Sequence, residues 1–183
     1  MKTKVPYEIA IQKARDFIEC VRPYCERVEI AGSLRRKKTE VGDIEICCIP
    51  NVEARHEYDL FGNLIKSTSR LEQYLADNFA AVKDGPHYKQ IPLEGINLDL
   101  FITSPEQWGV IFAIRTGSAD FSRWLVTWRR NGGALPSNMF VREGRLCLVS
   151  GPLETPEEAD FFRLIGLDFI PPEERIEGRW GKK

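Results

Sequence analysis

The chain has 183 residues, of which 43% are hydrophobic and 29% are charged, and its formal net charge is −1. This length is enough for a buried core, and this composition argues against a long disordered segment. The charge excludes a protein that is basic throughout, so contact with nucleic acid would need local patches of Lys and Arg. Such patches occur at residues 35–38, at Arg123 with Arg129 and Arg130, and at Arg142 with Arg145.

The five cysteines are odd in number, and no two of them have Cys-x-x-Cys spacing. This pattern favours reduced thiols over a disulfide framework or a zinc site. The residues after Met1 include no apolar stretch long enough for export or membrane insertion. We therefore expect a soluble intracellular protein, cytoplasmic and without a membrane partner.

The N-terminal half is predicted to alternate helices and strands. Pro6 opens a helix with one apolar face, and Pro23 marks its end. A second amphipathic helix is predicted at residues 71–79. Predicted strands lie at residues 28–31, 43–49, 81–83, 87–91 and 96–102. Residues 51–67 are polar and mixed, and their composition favours no particular element.

The C-terminal half is predicted to be mainly helical, with one hairpin. The first helix is predicted to start at residues 104–105 and to stop at Gly117, and the second is capped by Ser118 and closed at residues 132–133. A hairpin turn is predicted at residues 143–144. A capping box at residues 155–158 precedes a third helix, which stops at Gly166. Trp124 and Trp128 are spaced four residues apart, which is typical of a helix that buries both in a core.

The segment from Gly32 to Glu45 carries most of the functional signal. A small-residue turn, Gly32-Ser33, follows a predicted strand and lets backbone N–H groups approach a phosphate closely. Arg35 and Arg36 add positive charge beside this turn. Taken alone, a Gly-Ser turn is usually structural, and it becomes informative only together with the acids that follow it.

Asp43 and Glu45 lie two residues apart in a predicted strand, so they share one face of it. Asp99 interrupts another apolar strand pattern, where a buried carboxylate needs a partner. By itself, Asp99 is as consistent with a charge at a strand edge or half of an ion pair as with a functional carboxylate. Three carboxylates on neighbouring strands suit hard cations such as Mg²⁺, and two ions in one site could support phosphoryl transfer.

These residues resemble the signature of the family X DNA polymerases. The resemblance lies in Gly32-Ser33-Leu34-Arg35-Arg36, followed after five residues by Gly42-Asp43-Ile44-Glu45, in Thr116-Gly117-Ser118, and in residues 161–175. It implies an α+β fold, with a palm of mixed β-sheet and flanking helices at residues 1–103 and a small α/β thumb at residues 104–183. The chain is similar to minimal members of the family, and we expect no lyase or DNA-gripping domain upstream.

The resemblance also implies roles for individual residues. Asp43, Glu45 and Asp99 would be catalytic and would hold two Mg²⁺ ions, for which Mn²⁺ could substitute. The residues expected to bind the nucleotide are Gly32, Ser33, Arg36, Gly42, Arg115, Gly117 and Ser122. The residues expected to contact DNA are Arg123, Arg129 and Arg130.

Four departures from the family pattern bear on activity. Glu45 replaces the usual Asp, Asn97 replaces an arginine two residues before the third acid, and Ser122 replaces an Asn that reads the new base pair. Ile114-Arg115 replaces an aromatic pair that screens the sugar of the incoming nucleotide. These changes leave open the catalytic rate, the assistance to Asp99 and the choice between deoxyribonucleotides and ribonucleotides.

The leading hypothesis is a DNA polymerase that adds dNMP to a DNA 3′-hydroxyl by two-metal phosphoryl transfer, in short gap filling during repair. Its partners would be dNTP and a gapped or primed DNA, bound by a monomer, with an accessory protein in place of the absent N-terminal domains. Two alternatives stay open at this point: a nucleotidyltransferase with a non-DNA acceptor, and a non-catalytic DNA-binding module whose site has decayed.

Overall fold

A computed structural model describes residues 4–51, 54–58, 60–61 and 64–176. The α-helices are α1 (Tyr7–Val21), α2 (Gly32–Arg35), α3 (Arg70–Asn78), α4 (Trp108–Thr116), α5 (Ala119–Val126) and α6 (Glu158–Leu164). The strands are β1 (Val5–Pro6), β2 (Cys25–Ile30), β3 (Glu40–Val41), β4 (Asp43–Pro50), β5 (Ala54–Tyr58), β6 (Leu64–Ser69), β7 (Lys83–Asp84), β8 (Tyr88–Leu93), β9 (Ile96–Ile102), β10 (Met139–Arg142), β11 (Arg145–Leu148) and β12 (Gly151–Pro152). Short 3₁₀ turns lie at Arg22–Tyr24, Arg129–Asn131 and Pro172–Glu174.

A five-stranded mixed sheet forms the N-terminal part, in the order β2-β4-β9-β8-β7. Strands β4 and β9 are parallel, and the other pairs in this sheet are antiparallel. Alternation along β4 and β9 sends Ile44, Ile46, Leu98 and Leu100 to one face, where they are fully buried together with residues of α1 and α3. The predicted sheet and its covering helices are therefore confirmed.

Helix α1 begins directly after Pro6, whose extended backbone suits the position before a helix, and it ends just before Pro23. Its apolar face buries Ala10, Ala14 and Phe17, as the sequence predicts. Helix α3 begins with a capping box in which Ser69 and Glu72 satisfy each other's backbone N–H groups. Both helices thus bury their apolar faces against the same side of the sheet.

The C-terminal part has its own core, formed by α4, α5 and α6 with the three-stranded sheet β10-β11-β12. The hairpin between β10 and β11 turns at Glu143 and Gly144, which both have positive φ, at 51° and 72°. Two consecutive residues of this kind make the turn that matches the twist of a hairpin, so this prediction is confirmed.

Helix α4 joins the two parts because it has two buried faces. Val110 and Ala113 lie in the C-terminal core, whereas Trp108 and Phe112 pack on the second face of the five-stranded sheet, against Cys47 among others. The helix covers only part of that second face. Asp43, Glu45 and Asp99 lie on the same face and are half-buried.

Several predicted boundaries are wrong. Helix α4 begins at Trp108 rather than at residues 104–105. The side-chain oxygen of Gln107 accepts hydrogen bonds from the Thr103 hydroxyl and the Ser104 N–H, and these hold the segment before the helix in a turn. Helix α5 ends at Val126, so Trp128 lies outside it. The side chains that cap α6 belong to Glu157 and Asp160, while the Thr155 carbonyl instead accepts the Gly109 N–H at 2.9 Å.

The antiparallel pair β5–β6 was not predicted, and part of the segment at residues 51–67 lies outside the described residues. Within the described ranges, no helix combines the length and the apolar character needed to cross a lipid bilayer.

A buried ion cluster connects the N-terminal and C-terminal parts. Arg35, in α2, donates to Oε2 of Glu158 at 2.6 Å, and Arg175 donates to Oε1 of the same carboxylate at 2.6 Å. Glu158 is 4% exposed and Arg175 is fully buried. Burial opposes the ionisation of Glu158, but the hydrogen bonds and charges of Arg35 and Arg175 outweigh it and lower the pKa of this carboxyl.

We expect Glu158→Ala to destabilise the protein by roughly 3–5 kcal/mol, because it leaves the buried guanidinium of Arg175 and the half-buried guanidinium of Arg35 without their anion. Urea unfolding measures this loss. The control is Arg163→Ala, which breaks an exposed ion pair with Asp160 on the same helix and should cost less than about 1 kcal/mol. Equal losses in the two variants would contradict a structural role for the cluster.

Candidate active site

Three carboxylates lie on the face of the sheet that α4 leaves partly open. Asp43 and Glu45 are on β4, and Asp99 is on β9 directly beside Glu45 in the parallel register. Neighbouring strands run about 4.8 Å apart, so the two side chains project side by side. The structure therefore brings together the three predicted acids on one face.

The surroundings of Glu45 change its pKa. Burial and the charge of Asp43 raise its pKa to about 7, against the lowering effect of Arg36 and Arg115. Its side chain lies against the bare α-carbon of Gly32, where a methyl group would clash with the carboxylate. Gly32 also has a φ of +62°, a conformation that favours glycine. The extra methylene of Glu45, relative to Asp, is thus accommodated by a glycine on the neighbouring turn.

The Gly32-Ser33 turn opens the short helix α2, next to Glu45. The hydroxyl oxygen of Ser33 is buried, and it makes no hydrogen bond with any described residue. Buried hydroxyls are normally paired, so this oxygen is suited to bind a ligand oxygen. The structure thus places Gly32 and Ser33 beside the carboxylates.

Arg36 ends the same turn and contacts the C-terminal part. Its Nη1 donates to the carbonyl oxygens of Thr116 and Gly117, at 2.5 Å and 2.8 Å, and the residue is 9% exposed. A methyl group on Gly117 would clash with Phe121 and Ser122. The predicted residues Arg36 and Gly117 are therefore in direct contact, and this contact aligns the turn with the end of α4.

Arg115 stacks its guanidinium on the ring of Phe101, 3.9 Å from the ring centroid. It forms no hydrogen bond or ion pair with the described residues, although its charge lowers the pKa of Glu45. It also lines a pocket of about 260 Å³, together with His87 and Glu143 among others. Arg115 thus provides positive charge between this pocket and the carboxylates.

The two remaining residues predicted to bind nucleotide differ in their surroundings. A methyl group on the α-carbon of Gly42 would meet no atom of the described part of the chain within 4 Å, so that position has room beside it. Ser122 donates its hydroxyl to the Ile114 carbonyl oxygen at 2.5 Å. Ser122 therefore fastens α5 to the end of α4, whereas Gly42 leaves room for a ligand.

The three arginines predicted to contact DNA also differ in their surroundings. Arg129 donates from Nε to the Ala134 carbonyl at 3.0 Å and from Nη2 to the carbonyl of Ile165, which is a structural role. Arg130 stacks over Trp128, and Arg123 is exposed beside Asp120. All three residues are exposed, and Arg129 differs from Arg123 and Arg130 in that its guanidinium donates to two backbone carbonyls.

Two residues near Asp99 were missed by sequence reasoning. The hydroxyl of Tyr88 and the amide of Gln90 each donate to Oδ1 of Asp99 at 2.8 Å. Both alternate with buried residues of β8, and they share the face that carries Asp99. The alternation was visible in the sequence, but the pairing of β8 with β9 was needed to interpret it.

The donor set is chemically suited to a hard divalent cation, since carboxylate oxygens are the ligands that Mg²⁺ prefers. The residues described here contain no group of three or more His, Cys, Asp or Glu side chains placed to hold a metal ion. Glu45 instead lies against Gly32, and Asp99 holds hydrogen bonds from β8.

Without added metal, the raised pKa of Glu45 should make stability depend on pH. A carboxyl whose pKa rises from 4.5 to about 7 on folding binds its proton more tightly in the folded state, so the free energy of unfolding falls as pH rises across that interval. The fall amounts to roughly 3 kcal/mol at most. Glu45→Gln should lack it and be more stable than wild type at pH 8.

Urea unfolding of wild type and Glu45→Gln in EDTA, at pH 5 and at pH 8, checks this prediction. The other ionisable groups are the same in both proteins, so their effect on stability cancels in the difference. The difference in stability between the variant and wild type should grow with pH. A constant difference would show that Glu45 titrates normally.

Comparison with known proteins adds two findings. Residues 112–176 match the family described as DNA polymerase beta thumb. DNA polymerase lambda of Rattus norvegicus is 26% identical over 160 residues, which cover 79% of this chain and 28% of the rat protein. The aligned region is thus less than a third of that relative's length. The chain carries a polymerase beta thumb region and is distantly similar to DNA polymerase lambda, a family X polymerase.

Proposed function

We propose that the chain is a nucleotidyltransferase that adds deoxynucleotides to the 3′-hydroxyl of DNA and fills short gaps during repair. The observation that carries this proposal is the arrangement of Asp43, Glu45 and Asp99 on one sheet face beside the Gly32-Ser33 turn. The thumb match and the similarity to DNA polymerase lambda support the choice of DNA as the acceptor. In this proposal, residues 1–103 act as the palm and residues 104–183 as the thumb.

Asp43, Glu45 and Asp99 would hold the divalent ions, Mg²⁺ or in its place Mn²⁺. When bound, these ions would supply positive charge for the reacting phosphates and for the attacking hydroxyl. The Ser33 hydroxyl would donate to a phosphate oxygen of the nucleotide. Arg36 would fix the turn against the Thr116 and Gly117 carbonyls, so that the turn is ordered before the nucleotide arrives.

Contacts with DNA would come from the thumb region, since thumb domains of the polymerase beta type bind DNA. Arg123 and Arg130 would neutralise phosphates there, while Arg129 would support the backbone that carries Arg130. Phosphate contacts of this kind position the duplex without reading its sequence.

The test of the proposal is extension of a labelled primer across a one-nucleotide gap, with each dNTP or rNTP singly, in Mg²⁺ and in Mn²⁺. We expect incorporation of the complementary dNTP and a loss of about 10³-fold in Asp43→Ala, since loss of a metal ligand removes several kcal/mol of transition-state stabilisation. Undiminished extension by Asp43→Ala would contradict the mechanism.

The same assay separates the alternatives. Consumption of dNTP without a primer would favour a non-DNA acceptor. Binding of gapped DNA without incorporation in either metal would favour a non-catalytic module.

Gly42 allows a second test, because an added methyl group there touches none of the described residues. We expect Gly42→Ala to leave the urea midpoint unchanged and to raise KM for dNTP roughly tenfold, a cost of about 1.4 kcal/mol in ground-state binding. The matched control is Gly95→Ala: a methyl group at Gly95 also meets nothing within 4 Å, but its positive φ should cost stability without affecting KM. An unchanged KM in Gly42→Ala would remove Gly42 from the nucleotide site.

A further inference from the structure

Asp99 receives two hydrogen bonds on a single oxygen. The Tyr88 hydroxyl and the Gln90 amide both donate to Oδ1 at 2.8 Å, and the Gln90 amide also lies 3.2 Å from the Tyr88 hydroxyl oxygen. The other carboxylate oxygen, Oδ2, accepts no hydrogen bond from the described residues. The carboxylate is therefore held by one oxygen and exposes the other.

The sheet itself sets this geometry. Gln90 is the direct cross-strand partner of Asp99, and Tyr88 is the direct partner of Phe101, two residues further along β9. The Tyr88 ring stacks on Phe101 with centroids 5.3 Å apart. Both donors lie on a strand that is paired with β9, and the Tyr88 ring is also packed. Their side chains are therefore already in place before a ligand binds.

Asn97, two residues before Asp99, donates no hydrogen bond to the Asp99 carboxylate. Asn97 lies on the same face of β9 but forms no side-chain hydrogen bond with the described residues. The strand β8 thus provides the support that Asn97 lacks.

We propose that Tyr88 and Gln90 are positioning residues that fix the Asp99 carboxylate so that Oδ2 alone is presented to a divalent cation. This inference rests on the proposed function, since it assigns Asp99 to the metal site. Two donors on Oδ1 occupy its lone pairs and hinder rotation of the carboxylate, which favours binding through one oxygen. Outer hydrogen bonds of this kind typically change metal affinity by 10–100-fold.

The test measures binding of Mn²⁺ alone, from the electron paramagnetic resonance signal of free Mn²⁺, so it does not depend on turnover. Tyr88→Phe removes only the hydroxyl and keeps the stacked ring, and Gln90→Leu removes the amide. We expect each to weaken Mn²⁺ binding by about tenfold with an unchanged urea midpoint. In primer extension, each should lower kcat and leave KM for dNTP unchanged.

Two matched controls lie on α3, away from the site. Gln73 also donates an amide to an aspartate, Asp77, at 2.9 Å, so Gln73→Leu makes the same change elsewhere. Tyr74→Phe removes a hydroxyl from a ring that stacks on Tyr24. Both controls should bind Mn²⁺ as wild type does.

A double-mutant cycle separates positioning from general structural support. If Tyr88 acts through Asp99, Tyr88→Phe should have no further effect on Mn²⁺ binding in an Asp99→Asn background. The same weakening in both backgrounds would overturn the proposal, and so would wild-type affinity in both Tyr88→Phe and Gln90→Leu.

The outcomes also distinguish this inference from the proposed function. If wild type binds Mn²⁺ and Asp43→Ala does not, while the β8 variants bind normally, the positioning inference fails and the polymerase proposal stands. If wild type and Asp43→Ala bind Mn²⁺ equally poorly and neither extends a primer, both fail.

Discussion

The parallel pairing of β4 and β9 is the constraint on which the site depends. It places Glu45 directly beside Asp99 and keeps Asp43 on the same face, so like charges are brought together that would separate in an unfolded chain. The pairing tolerates this repulsion because the other face of the same two strands is a fully buried apolar layer, which includes Ile44 and Ile46. The strands thus use hydrophobic burial on one side to hold an electrostatically unfavourable arrangement on the other.

The turn after β2 has two tasks at once. Its first residues, Gly32 and Ser33, lie beside the carboxylates, and its last two arginines reach across to the C-terminal part. Arg35 forms an ion pair with the buried Glu158, and Arg36 donates hydrogen bonds to two backbone carbonyls. Because one short helix carries both sets of contacts, the orientation of the C-terminal part and the shape of the turn depend on each other.

Sequence reasoning could predict what depends on local pattern. The alternation in β4 and β9, the apolar face of α1 and the turn at Glu143 and Gly144 are each visible within a few residues, and each is confirmed. What could not be predicted depends on partners distant in sequence. The hydrogen bonds from β8 to Asp99, the carbonyl contacts of Arg36 and the room that Gly32 makes for Glu45 all require the register of strands or the docking of α4. The β5–β6 pair lacked a strong apolar alternation and was missed for that reason.

The same parallel pair also affects how the chain folds. Strand β4 is complete at Pro50, but its partner β9 begins only at Ile96, after a hairpin, a helix and two further strands. The antiparallel neighbour β2 is much nearer in sequence, so β2 and β4 can associate while one edge of β4 is still unpaired. Long loop closure must then come before the central pairing, so we expect this chain to fold slowly for its size. During synthesis, we expect one backbone edge of β4 to stay unpaired and its apolar side chains to stay uncovered until the ribosome has released β9, and in that interval the chain is most open to aggregation.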